Sequence, residues 1–136
     1  MNAQEIKMSI LPAQYAIHRF DPHTQIPLDI MKEESFYHIS KTSDELSIVC
    51  RAEIKLLSDK VNRPYSCLKV LGPLDFSLVG IISNIAIILK QEEIPIFVIS
   101  TFDTDYILIE TDYTQKAIKA LNDNKYISIT NAPNSH

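Results

Sequence analysis

Asp103 and Asp105 lie two positions apart in the stretch Ser100-Thr-Phe-Asp-Thr-Asp105, where hydroxyls and carboxylates surround a single aromatic residue. Two carboxylates at that spacing could divide into a general acid and a general base. The string also reads as a polar turn, because Asp, Ser and Thr side chains hydrogen-bond their own backbone. The other candidate groups are scattered. His18, His23, His38 and His136 show no HExxH motif and no metal-ligand spacing. His18 and His38 fall in strand-like segments and could be neighbours across a sheet. Cys50 and Cys67 sit inside apolar runs, which suits inert buried thiols better than a nucleophile. Two cysteines are too few for a cysteine-based zinc site. A chain with 2 Gly holds neither a Walker loop nor GxGxxG. No catalytic constellation emerges, so no enzyme, metal or cofactor is expected.

These residues need elements to position them. Tyr15–Phe20 reads as a strand closed by Asp21-Pro22, and Pro27–Met31 as a short helix or turn with Pro27 at its start. Phe36–Lys41 and Leu46–Arg51 read as a hairpin around Thr42-Ser-Asp-Glu45. Ala52–Leu57 could form one or two helical turns. Asn62-Arg63-Pro64 is expected to break the chain before a strand at Cys67–Leu71. In Ser77–Gln91, apolar residues at Leu78, Ile81, Ile82, Ile85, Ile88 and Leu89 follow helical spacing, with Asp75 or Ser77 as N-cap. Pro95–Ser100 is a nearly continuous β-branched run and reads as a central strand. Tyr106–Glu110 is another strand. A helix capped by Asp112 or Thr114 follows, with Ala117, Ile118 and Leu121 inward, and Tyr126–Thr130 is the last strand.

From Cys67 onward the order is strand, helix, strand, strand, helix, strand. That is the βαββαβ order of a ferredoxin-like α+β unit, an antiparallel sheet with helices packed on one face. The first half follows the same order more loosely. The Cys67 strand could close the first unit or open the second. The expected division is a degenerate N-terminal unit over 1–65, a C-terminal unit over 66–131 and a loose tail over 132–136.

Composition narrows the function classes. The chain has 136 residues, 46% hydrophobic, with 17 acidic against 13 basic residues. A net charge of -4 disfavours nucleic-acid binding, which needs a surplus of Lys and Arg. An RNA-recognition module shares the element order but stacks bases on sheet aromatics, and these strands are mostly aliphatic. The richest apolar stretch, Phe76–Leu89, is interrupted by Ser77, Gly80, Ser83 and Asn84 and falls short of the roughly 20 residues of a membrane span. Residues Met1–Lys7 lack the pattern of a signal peptide. A cytoplasmic protein without a membrane segment is expected.

Two segments carry a resemblance: Gly72-Pro-Leu-Asp-Phe-Ser-Leu-Val-Gly80 running into a helix, and Ile94-Pro-Ile-Phe-Val-Ile-Ser-Thr-Phe-Asp-Thr-Asp-Tyr106 running into a strand. A Gly at a helix start and a strand ending Ile-Ser-Thr resemble the ACT domain family of amino-acid-binding regulatory modules. Ser100, Thr101, Asp105 and Tyr106 stand in a Ser-Thr-x-x-x-Asp-Tyr stretch similar to that of small stand-alone tandem ACT proteins. Aspartate kinase regulatory lobes and cytosolic arginine sensors look like relatives.

The resemblance implies tandem ACT units, side-by-side pairing into a homodimer, and a small ligand, an amino acid, at a unit or subunit interface. Backbone N–H groups at a helix start favour its carboxylate. Asp75, Phe76, Ser77, Leu78, Val79 and Gly80 would form that turn, with Gly80 permitting close approach. Ser100, Thr101, Phe102, Asp103, Thr104 and Asp105 would form the facing loop, whose carboxylates could pair the ammonium. Without a catalytic domain, the output would pass through a protein partner. The alternative is an ACT-fold dimerisation module that binds nothing.

Overall fold

The computed structural model describes residues 5–71 and 80–131. The chain divides into two compact units. The N-terminal unit comprises residues 13–65; the C-terminal unit comprises residues 5–12 together with the described residues from 66 onward. The tail, 132–136, lies outside the described residues.

The N-terminal unit contains β2 (Tyr15–Phe20), a 3-10 turn at Leu28–Lys32, β3 (His38–Lys41), β4 (Leu46–Arg51) and the first half of β5 (Lys60–Val70). β1 (Ile6–Ile10) precedes these and belongs to the other unit. The strand order is β3-β4-β2-β5, all neighbours antiparallel. That is the ferredoxin order, with one helix reduced to the 3-10 turn and the other replaced by irregular backbone. The expected hairpin is present: the Thr42 hydroxyl accepts from the Asp44 and Glu45 amides, 3.1 Å each, and closes the turn. The core consists of Phe20, Ile30, Leu46, Ile48 and Cys50.

Two expectations fail here. Ala52–Leu57 is not helical. The Ala52 amide donates to the Gln14 carbonyl, 2.8 Å, so the end of the β2–β4 ladder takes a group that a helix start would free, and so short a helix would be costly to nucleate. Asn62-Arg63-Pro64 does not break the chain but lies within the 11-residue β5. The register against β2 shifts between Tyr15 and Ile17, opposite this segment, so the proline's missing N–H falls where the ladder is irregular. The Arg63–Pro64 peptide is cis.

The C-terminal unit follows the order read from the sequence: the second half of β5, α1 (Ile81–Gln91), β6 (Phe97–Ser100), β7 (Asp105–Glu110), a 3-10 turn at Thr111–Tyr113, α2 (Thr114–Asn122) and β8 (Ile127–Asn131). The strand order is β6-β7-β5-β1-β8. β1, not anticipated as a strand, runs antiparallel to β5 and parallel to β8, so it is inserted into a ferredoxin-like sheet. Ile6, Met8, Leu68, Val70, Ile107, Ile109 and Ile127 share one face of that sheet by strand alternation. Against them pack Ile81, Ile85 and Leu89 of α1 and Ala117 and Leu121 of α2, while Ile118 is only partly buried. Both helices therefore cover one face.

Three local details depart from the sequence reading. α1 begins at Ile81, with Gly80 as its N-cap, rather than at Ser77. α2 has no side-chain cap; the Thr114 hydroxyl instead pairs with the Ser66 hydroxyl, 2.7 Å. β6 has β7 as its single neighbour among the described residues, so it is an edge and not a central strand. Its apolar run is explained from below, where Ile94 is buried and Ile96 packs on the helix-side core.

Candidate functional site

Ser100 and Asp105 are paired across β6 and β7, and residues 101–104 form the hairpin turn. Ser100 Oγ donates to Asp105 Oδ1, 2.5 Å. The Thr101 amide and hydroxyl both donate to the Thr104 carbonyl, at 2.8 and 3.0 Å. The Thr104 amide returns a bond of 3.3 Å to Thr101 Oγ1. The loop is thus an ordered polar turn, with Phe102 82% exposed at its tip and Asp103 exposed beside it.

Thr104 anchors this turn. Its side chain is buried and its hydroxyl donates to the Val70 carbonyl at the end of β5. Between β1 and β5, Leu71 N bonds Lys7 O and Leu11 N bonds Cys67 O. By antiparallel alternation the Val70 carbonyl points away from β1, toward the Thr104 hydroxyl. The chain leaves the sheet at Leu71, immediately beside the hairpin. Asp75, Phe76, Ser77, Leu78 and Val79 lie outside the described residues.

Gly80 re-enters at the start of α1 with φ +86°, the left-handed region. A Cβ built there would meet nothing within 4 Å. The glycine is therefore required by backbone conformation, not by crowding among the described residues. Its carbonyl accepts the Asn84 amide, 2.8 Å, which makes it the first acceptor of the helix.

Lys69, to which no sequence signal pointed, places its Nζ 5.9 Å from the centroid of the Tyr106 ring, next to Asp105. Burial is the main cause that raises the Tyr106 hydroxyl pKa, with smaller contributions from Cys67 and Asp103. Asp103 and Asp105 acquire no histidine partner by any described hydrogen bond, so the acid-and-base pairing gains no support.

The histidines do not converge. His38 faces Val49 and, beyond it, Ile17; His18 faces Ile48 and, beyond it, Ile39. The two rings thus stand on strands separated by β4 and on opposite faces. His23 lies in an exposed turn, its amide donating to Asp21 Oδ1, 2.9 Å. His136 lies outside the described residues. Burial pushes the Cys50 thiol up to about 11 and the Cys67 thiol up to about 12. Among the described residues no group of three His, Cys, Asp or Glu side chains could hold a metal ion.

The family model of the ACT domain matches residues 60–123. This chain carries an ACT domain. The ACT match begins at β5, includes Gly80 and the Ser100–Asp105 hairpin, and ends just past α2. A second family model, of an N-terminal domain, matches residues 13–54. Among solved structures, protein Atu0741 of Agobacterium tumefaciens is 34% identical over 98% of both chains, with a TM-score of 0.83. VC0802 of Vibrio cholerae, a protein of unknown function described as a possible transport protein, is 18% identical over 88% of this chain and 90% of its own, with a TM-score of 0.68. The aspartate kinase of Clostridium acetobutylicum, an allosteric enzyme, is 16% identical, with a TM-score of 0.66 over 90% of this chain and 35% of the kinase. No curated protein matches the sequence. No helix of the described residues is long and apolar enough to cross a membrane.

Proposed function

We propose that this chain is a non-enzymatic regulatory module that binds an α-amino acid between the Asp75–Gly80 turn and the Ser100–Asp105 hairpin. The observation that carries the reading is the Thr104–Val70 bond. It holds the hairpin at the point where the chain leaves β5 toward that turn, and both ends fall within the ACT match. The ligand carboxylate would take backbone N–H groups at the helix start. Asp105 would exchange its Ser100 partner for the ligand ammonium. Ligand bound at this end would favour one packing of units or subunits, and a protein partner would read that packing by linkage. The N-terminal unit, with its ferredoxin strand order and reduced helices, serves as a degenerate ACT unit, and a homodimer in the cytoplasm is the working assembly.

One observation favours the second reading, a dimerisation module without ligand. Ser100, Thr101 and Thr104 already satisfy their hydroxyls within the turn or on the Val70 carbonyl. A thermal-shift screen against the twenty amino acids separates the two. A ligand at 100 times its Kd stabilises the native state by about 2.7 kcal/mol, so a dose-dependent rise with one or a few supports binding. Calorimetry with Asp105→Ala then places it, and unchanged affinity moves the site elsewhere. A flat screen on folded protein supports the structural module.

A further inference from the structure

Among the described residues, His18 is the one polar side chain buried in the N-terminal unit, with 2% of its surface exposed. It sits in the middle of β2 between Ile48 of β4 and Val61 of β5, and its ring stacks on Phe20 with centroids 6.2 Å apart. Nδ1 lies 2.8 Å from Ser58 Oγ. Nε2 is enclosed and has no hydrogen-bond partner among the described residues.

No carboxylate acts on this ring: its proton affinity responds to burial and Arg63. The 3-10 turn that packs on the same face through Ile30 carries Asp29 and Lys32, both exposed; beyond it Glu34 is exposed and Glu33 is held by Arg51. On the same face as Ile48, β4 presents Leu46 and Cys50, whose thiol stays neutral. From β5, Arg63 acts on it with the same sign as an imidazolium. From the connection between β4 and β5 comes Ser58, while Asp59 is directed to Arg19, 3.9 Å, and Glu53 to Arg51. The neutral ring is well suited to this place. With the proton on Nδ1 and donated to Ser58, only a lone pair is left unmatched at Nε2.

The segment that supplies Ser58 has no fully buried residue: none from 51 to 60 is buried, Leu57 is fully exposed, and only Ile54 and Leu56, both partly buried, pack against the core. Its backbone is tied by the Ala52 amide on Gln14 O, the Ile54 amide on Arg51 O and the Asp59 amide on Arg19 O, at 2.8, 3.1 and 2.9 Å. Segments with few buried contacts open at low free energy.

We propose that His18 is an acid-operated latch: on taking up a proton the ring leaves its enclosed position, and the 52–59 segment opens with it. An imidazolium carries two N–H donors. Ser58 can accept one, the donor at Nε2 would have no acceptor, and Arg63 would repel the charge. Burial first, then Arg63, hold the ring's proton affinity below that of a free histidine. The opened form therefore binds the proton more readily. Stability of the closed segment is complete above about pH 6.5 and falls as pH drops below it, levelling only where the enclosed ring itself is protonated.

The test uses the full chain between about pH 7.5 and 5. Amide-exchange protection of Asp59, corrected for intrinsic rates, is expected to fall by up to tenfold per pH unit below about 6.5. His18→Gln, which takes up no proton, is expected to abolish that dependence. His38→Gln is expected to leave it, although burial lowers the His38 pKa too. Should His18→Gln fail to fold, NMR titration of the wild-type rings decides: the His18 midpoint must lie below that of a free histidine. A midpoint at or above about 6.5, flat Asp59 protection, or full pH dependence retained in His18→Gln would overturn the proposal.

Discussion

Replacing Thr104 by Val keeps the β-branched shape and removes one hydroxyl. That hydroxyl meets the Val70 carbonyl, which points away from the β1 ladder, and both residues are buried. The loss of a net hydrogen bond is worth about 0.5–1.5 kcal/mol, and leaving a buried acceptor unmet raises the total to about 1–3 kcal/mol. The hydroxyl is the group at issue, so Thr104→Ser should recover most of this, losing only a methyl's worth of packing. Urea unfolding followed by far-UV circular dichroism suits a chain without Trp. With a urea slope of about 1–3 kcal/mol per molar, the midpoint of Thr104→Val should drop by roughly 0.5–2 M. If Thr104→Val unfolds within error of wild type, the turn is not anchored through this bond. If Thr104→Ser is as unstable as Thr104→Val, packing and not the hydroxyl accounts for the loss. Either result would remove the observation on which the placement of the ligand loop rests.

Further outcomes follow from single contacts. Gly80→Ala should destabilise by about 1–2 kcal/mol through backbone conformation alone, since its Cβ meets nothing, whereas Glu93→Gly should be neutral or stabilising because Glu93 already has φ +57°; urea midpoints of both variants check this. Glu33 is bonded to Arg51 Nε at 2.6 Å, and that bond chiefly lowers its pKa. Stability from this pair is present above about pH 4.3, the unfolded value, and is lost as pH falls through the lower folded value. Arg51→Met should therefore cost about 1–2 kcal/mol at pH 7 and flatten the acid limb of a stability-against-pH curve.

What could be read in advance divides along local and distant contacts. Tyr15–Phe20, Leu46–Arg51 and the Thr42–Glu45 turn were legible because alternation and turn chemistry act within a few residues. β1 is hard to read from the sequence although Ile6, Met8 and Ile10 alternate with Lys7 and Ser9, because five residues beside a polar start carry little signal. The continuous apolar run of Pro95–Ser100 predicts a central strand, yet an edge strand above a buried Ile94 shows the same pattern. Asn62–Pro64 reads as a break in the sequence because a proline's tolerance in a strand depends on the partner's register, which local sequence does not display. Of the site, the polar turn was visible in the spacing of Ser100 to Asp105. Its anchorage on Val70, and the approach of Lys69 to Tyr106, join positions more than thirty residues apart and have no local signature.

The insertion of β1 between β5 and β8 bears on the order in which the chain can be assembled during synthesis. Ile6 pairs with Ile127, so β1 leaves the ribosome more than a hundred residues ahead of the β8 strand that completes its ladder. The N-terminal unit is drawn from one uninterrupted stretch and can close as soon as β5 emerges. The C-terminal unit is closed by contacts that span more than a hundred residues, and such non-local pairing is slow. Until β8 arrives, the Ile6–Ile10 edge stands open beside β5, and that interval is when a nascent chain is most exposed to strand pairing with its neighbours on a polysome.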